Sequence, residues 1–358
     1  MNPVDNLIKG LLKDSPNDAA LIYYKKNRRY FTNFPSSEGV LLVMNDGAFL
    51  LMDFRYAEAA SKKAKNCTVI EFSSMAESLT KLIVKHDIKN VYLEEQNLTV
   101  LQSNRFKNIC EAAGAKTISN NALDHAVRDM RMIKTSEEIA CIENSQEITD
   151  AAFTHILPFI RSGVTERDIA LEIEFFMRKQ GAEGVAFELI VAAGKNSSMC
   201  HAVPSDYAVS PGDFITMDIG ALLDGYHSDM TRTVALGKTS KKQEDVYNTV
   251  LKAQLAVIDA VKPGIPCNEV DKIARDIINV NYSGRFGHGL GHGVGLEIHE
   301  EPRFSALDST PCAPGMVITD EPGIYLPDEF GVRIEDMLLI TEDGCRNLTK
   351  SPKELIHL

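Results

Sequence analysis

Apolar positions along the first 120 residues fall in short runs, separated by stretches whose apolar residues recur at helical spacing. Ala20-Leu21-Ile22-Tyr23-Tyr24 reads as a strand, and the apolar runs 39–44 and 48–52 flank an Asn45-Asp46-Gly47 turn of the hairpin type. Helical periodicity over 55–65, 75–86 and 100–114 alternates with short strands near 67–71 and 90–93. This alternation predicts an α/β domain. It carries no glycine-rich phosphate loop and no cluster of His, Asp or Glu, so a role in assembly or in shaping a binding site is expected of it.

The character changes near 121–137. Thr135-Ser136-Glu137-Glu138 supplies an N-cap and acidic first-turn residues, so a helix should start there and run to 158. A second helix is expected over 165–180, capped by Thr165 with Glu166 and Asp168 behind it. Short strands follow to 235, helices return at 241–260 and 267–280, and strands run again from 286 to 342. The domain boundary is placed just before the first of these helices, giving domains 1–128 and 129–358.

Helices then strands, twice over, point to an internal repeat. Phe159-Ile160-Arg161-Ser162-Gly163-Val164-Thr165 resembles Ala260-Val261-Lys262-Pro263-Gly264-Ile265-Pro266, 101 positions later. Ser210-Pro211-Gly212-Asp213-Phe214-Ile215-Thr216-Met217-Asp218 resembles Ala313-Pro314-Gly315-Met316-Val317-Ile318-Thr319-Asp320-Glu321, 103 positions later. Asp218 then superimposes on Glu321 and, after a slip of three residues, Asp229 on Glu335. Asp218 lies in an apolar strand, and Asp229 is expected in a second strand beyond the Leu223-Asp224-Gly225 turn. A carboxylate in such a place is costly unless paired or bound to a cation. If the halves pack about a pseudo-two-fold axis, four carboxylates meet at the centre.

Composition changes the picture mainly by exclusion. The chain has 358 residues, 44% of them hydrophobic and 25% charged, as in ordinary globular proteins, and is long enough for two cores. Its net charge of −12, without a Lys/Arg block, argues against nucleic acid or an anionic membrane as partner. Seven scattered cysteines, none in a Cys-x-x-Cys pair, suit reduced thiols. With no basic-then-apolar start either, a cytoplasmic protein is expected.

Four carboxylates with a histidine would suit two divalent ions of the manganese, cobalt or zinc kind. The histidine source is Gly287-His288-Gly289-Leu290-Gly291-His292-Gly293-Val294-Gly295, followed by Glu297-Ile298-His299-Glu300. Its glycines are expected to let the backbone pass close to a bound group. Competing motifs fail: position 303 is Arg, so His299-Glu300 opens no zincin motif, and Arg232 stands where a phosphate loop ending at Gly237-Lys238-Thr239 needs its first glycine.

At these residues the chain resembles the pita-bread metallopeptidases and, among them, the Xaa-Pro peptidases (prolidase and aminopeptidase P). The resemblance covers nearly the whole chain. It runs through Leu51-Met52-Asp53-Phe54-Arg55-Tyr56, Arg131-x-x-Lys134, Asp218-x-Gly220, Asp229-x-Thr231-Arg232-Thr233, Gly291-His292-Gly293-x-Gly295, Thr319-Asp320-Glu321-Pro322-Gly323 and Val332-Arg333-Ile334-Glu335-Asp336. It implies an α/β N-terminal domain of the creatinase/prolidase type, then an α+β pita-bread catalytic domain with the pseudo-two-fold repeat.

The resemblance further implies Asp218, Asp229, His292, Glu321 and Glu335 as ligands of two divalent ions, manganese first with cobalt or zinc as alternatives. Asp229 and Glu335 would bridge the ions, and the water between them would attack the scissile carbonyl. Glu321 would shuttle the proton. His201 and His299 would bind substrate and stabilise the tetrahedral intermediate, His288 would lie near the proline side, and Arg333 would hold a ligand carboxylate. Arg303 is either a clamp for a C-terminal carboxylate or a surface arginine. Cys200 stands where the family has proline before the histidine, which loosens that loop without removing His201. The implied function is hydrolysis of the bond between a first residue and a following proline, with dipeptidase and aminopeptidase P both open. The alternatives are a non-catalytic binding module on the same fold and a metal-free hydrolase of the creatinase sort, and both are disfavoured because all five ligand positions are present. The expected partners are a short proline-containing peptide and a second copy in a homodimer.

Overall fold

The computed structural model of the chain describes residues 2–358, and they form two compact units that divide after Arg131. In the first unit, α1 (Pro3–Leu7), β1 (Asp18–Ile22), α2 (Lys25–Thr32), β2 (Val40–Met44), β3 (Gly47–Met52), α3 (Phe54–Lys63), β4 (Thr68–Glu71), α4 (Met75–Lys85), β5 (Asn90–Leu93), α5 (Val100–Ala112), β6 (Lys116–Ile118) and α6 (Ala122–Met132) follow one another. The strands make one six-stranded sheet in the order β4-β3-β2-β1-β5-β6. The β2–β3 hairpin closes with Met44 opposite Gly47. β1 and β2 are buried at every position, as strands covered on both faces must be. This is the expected α/β architecture. Three α-helices went unforeseen, because α1 has only five residues, α2 is strongly basic with no capping side chain, and α6 lies where only a change of character was legible.

The second unit repeats one motif. Its first half contains α7 (Ser136–Ile156), α8 (Glu166–Lys179), β7 (Gly184–Val185), β8 (Ile190–Ala193), β9 (Phe214–Ile219), β10 (Ala221–Leu223), β11 (Tyr226–His227) and β12 (Met230–Ala235). The second half contains α9 (Lys241–Ala260), α10 (Cys267–Tyr282), β13 (Gly291–Gly293), β14 (Glu300–Phe304), β15 (Val317–Asp320), β16 (Gly323–Leu326), β17 (Phe330–Arg333), β18 (Asp336–Ile340) and β19 (Cys345–Asn347). Capping boxes at Thr135–Glu138 and Thr165–Asp168 start α7 and α8 where the sequence places them.

Both halves contain two helices and an antiparallel three-strand run, β8-β9-β12 in one and β13-β15-β18 in the other. Each half largely buries its own core. Ile148, Phe153, Ile169 and Ile173 pack against Val191, Met217 and Val234 in the first, and Val250, Val257, Val270 and Ile278 pack against Ile318, Leu338 and Ile340 in the second. No helix among the described residues is long and apolar enough to cross a membrane.

Candidate metal centre

The repeat sets the position of each carboxylate. Asp218 is the penultimate residue of β9 and pairs across to Thr231. Asp229 sits one residue before β12, outside the strand in which the sequence reading placed it. The turn there is longer than a simple hairpin, since the short strands β10 and β11 intervene. Glu335 likewise sits one residue before β18, and Glu321 one residue after β15. Asp218, Asp229, Glu321 and Glu335 all line one cavity of about 500 Å³, together with His201, His288, His292, His299, Arg303 and Arg333.

The glycine run lets neighbouring strands approach closely. A Cβ at Gly291 would strike the carbonyl of Thr319 on β15, and one at Gly293 the carbonyl of Glu301 on β14. These glycines therefore let β13 lie close between its two neighbours, which holds His292 against the carboxylates. Gly289 and Gly291 also line the cavity itself.

The geometry is short of cations. His292 Nδ1–H donates to the Gly293 carbonyl at 3.1 Å, which leaves Nε2 with a lone pair. That nitrogen faces Asp229 Oδ2 and Glu321 Oε1, each at 3.6 Å. Burial, helped by the neighbouring His299, pushes the His292 pKa down to about 3, so the ring is neutral and these approaches are not ion pairs. Ligand atoms of Asp229, His292 and Glu335 can lie within 4.8 Å of one another.

Burial, then the mutual repulsion of the carboxylates, raises the pKa of Asp229 and Glu335 well above the usual range, and burial lifts Glu321 to about 8. Asp218 Oδ2 accepts from Arg333 Nη2 at 2.7 Å, but its buried Oδ1 has no partner. Four carboxylates, one lone-pair nitrogen and an orphaned oxygen fit divalent cations chemically.

Three supporting residues escaped sequence reasoning. Tyr325 O–H stands between Arg333 Nη1 at 2.8 Å and His288 Nε2 at 2.9 Å, while His288 Nδ1 is satisfied by the Gly289 carbonyl. Thr231 Oγ1 accepts from Arg333 Nε at 3.0 Å and donates to Glu335 Oε2 at 2.7 Å. Arg333 thus orients Asp218 directly and Glu335 through Thr231. Glu166, read as a first-turn helix acid, is fully buried and accepts from Ala193 N, Asn196 Nδ2, Ser205 N and Ser205 Oγ. It ties down the loop that carries His201. Only the Thr231 position had a legible signal, the Asp229-x-Thr231 pattern.

Comparison with known proteins agrees with the geometry. Residues 140–342 match metallopeptidase family M24, and residues 6–133 match the creatinase/prolidase N-terminal domain. An Xaa-Pro dipeptidase of Pyrococcus furiosus is 39% identical over 355 residues, covering 99% of each chain. The solved structure of an Xaa-Pro dipeptidase from Bacillus anthracis superimposes with a TM-score of 0.93 at 40% identity, over 99% of each chain. That of an X-Pro aminopeptidase from Thermotoga maritima does so with a TM-score of 0.90 at 35% identity, over 95% of this chain and 97% of that one.

Proposed function

Because the chain belongs to metallopeptidase family M24, we propose that it hydrolyses the bond between a first residue and a following proline, using two divalent ions and dipeptides as substrate. The observation that carries this reading is the convergence of four carboxylates and the bare Nε2 of His292 on one cavity. Asp218, Asp229, His292, Glu321 and Glu335 would hold the ions. Divalent ions bound there supply Lewis acidity, toward the scissile carbonyl and toward the water that attacks it. Relatives that act as Xaa-Pro dipeptidases support the substrate class.

The chain's own residues supply the rest. A tertiary Xaa-Pro amide has no N–H, so its departing proline nitrogen needs a proton. Glu321, which lines the cavity among the other carboxylates, takes one from the attacking water and passes it on. His299, kept neutral by burial and by Arg303, presents one ring N–H to the carbonyl oxygen as charge builds there, and His201 lines the same cavity. His288 has both ring nitrogens engaged, so it offers its ring face and carbon edge to the proline.

Arg303 lies on β14 opposite His292, lines the cavity, and approaches Glu301 no closer than 4.0 Å. It is free to clamp the dipeptide carboxylate. We take the ions to be manganese, and the chain to work in the cytosol as a homodimer. Seven cysteines, none of them in a disulfide among the described residues, suit that compartment.

The discriminating experiment compares Ala-Pro with Ala-Pro-Ala. Dipeptide cleavage is expected to predominate, and Arg303→Ala should lower it by about ten- to hundredfold, the worth of a charge-assisted hydrogen bond. Cleavage of the tripeptide at least as fast as the dipeptide, with Arg303→Ala affecting both alike, would make the chain an aminopeptidase P instead.

A further inference from the structure

The cavity holds one carboxylate that the reading above leaves idle. Glu188 lies in the short segment between β7 and β8 and lines the cavity beside Phe187 and Ile190. Unlike the four central carboxylates it is exposed, and it makes no hydrogen bond or ion pair among the described residues. An acid left unpaired in the wall of a substrate cavity either is incidental or meets part of the substrate.

Ile190 pairs directly with Asp218, so the 187–190 segment stands on the β8 edge of the first half's sheet. Arg303 stands on β14, the edge strand of the second half's sheet, opposite His292. β12 and β18, from the inner side of the two sheets, touch one another, which puts β8 and β14 at opposite outer edges, so Glu188 and Arg303 line the cavity from opposite sides. A dipeptide whose proline carboxylate rests on Arg303 and whose carbonyl reaches the cluster must turn its first residue toward Phe187, Glu188 and Ile190. Phe187 and Ile190 provide apolar surface for an aliphatic stem, and Glu188 provides a charge beyond it. Lysine and arginine side chains have that shape, an apolar stem with a cationic head.

We propose that Glu188 is a specificity residue that favours a basic side chain, and disfavours an acidic one, on the residue preceding proline. This rests on the Xaa-Pro peptidase reading and on the Arg303 clamp. Favourable and unfavourable charge pairs at a partly exposed site together amount to about a tenfold discrimination, greater at low ionic strength.

The test measures kcat/KM of the metal-loaded protein on Lys-Pro, Leu-Pro and Glu-Pro at low salt, with each charged substrate normalised to Leu-Pro. The wild type should prefer Lys-Pro over Glu-Pro by about tenfold, Glu188→Gln should bring the ratio near unity, and Glu188→Lys should invert it. A Lys-Pro to Glu-Pro ratio that is the same in the wild type and both variants would overturn the proposal while leaving the peptidase reading intact. Failure of the wild type to cleave Leu-Pro at all would instead remove the peptidase reading and this inference with it.

Discussion

Asp229→Asn is expected to lower Ala-Pro hydrolysis by at least about a thousandfold, since bound metal supplies several kcal/mol of charge stabilisation and each 1.4 kcal/mol is about tenfold in rate. The substitution conserves shape, so a fall of that size would not reflect a collapsed cavity. It removes one negative charge from the centre and aims an amide group at the lone pair of His292, 3.6 Å from the present Asp229 Oδ2. The same change should raise the stability of the metal-stripped protein near neutral pH. Burial first, and the neighbouring carboxylates second, make the charged forms of Asp229 and Glu335 costly without cations, and their raised pKa values express that cost. A variant that is more stable than the wild type when stripped, less stabilised by Mn²⁺, and catalytically silent is the expected combination. Activity within tenfold of the wild type would show that Asp229 holds no essential ion.

The second large effect falls on stability. Arg232 is 1% exposed and spends all five of its N–H donors. Nε donates to Pro352 O, Nη1 to Thr231 O and Glu335 O, and Nη2 to Asp336 Oδ1 and Ser351 O. Asp336 is fully buried and also accepts from Gln254, Asn347 and Lys353. Burial alone would protonate it, but Arg232 and Lys353 outweigh burial and hold its pKa below the usual value.

Arg232→Met would take the main cationic partner from the buried Asp336 and remove the donor from the carbonyls of Glu335, Ser351 and Pro352, while Thr231 O keeps the N–H of Glu335. A loss of about 3–5 kcal/mol is expected, as for other buried pairs broken on one side. Urea unfolding of the catalytic unit, followed with metal loaded, measures it. A loss under about 1 kcal/mol would mean that the network relaxes onto water, contrary to the burial seen here. Because Glu335 supplies one of the acceptors, weaker metal binding should accompany the loss.

Legibility of this protein in its sequence varied with how local each signal was. Helix starts at Thr135 and Thr165 were readable, because an N-cap and its N3 partner are neighbours in sequence. The twofold repeat was readable because its two copies carry the same Pro-Gly turn and the same acidic positions. Asp229 was placed in a strand because β10 and β11 are too short to leave a periodic trace. The buried role of Glu166 was hidden for the opposite reason. An acid in the first turn of a helix already has a sufficient surface explanation, and nothing nearby in sequence announces that residues 193–205 fold back onto it. Tyr325 is similar, since its partners His288 and Arg333 meet it only after β16 and β17 pair.

The central claim is that these five side chains form a two-ion centre on which peptide hydrolysis depends. Adding Mn²⁺ in measured equivalents to the stripped protein while following Ala-Pro hydrolysis tests it directly. No turnover is expected at the start, followed by a rate that rises to a plateau at two equivalents per chain. Full activity in the stripped protein, or none at any equivalence in a protein that remains folded, would contradict it.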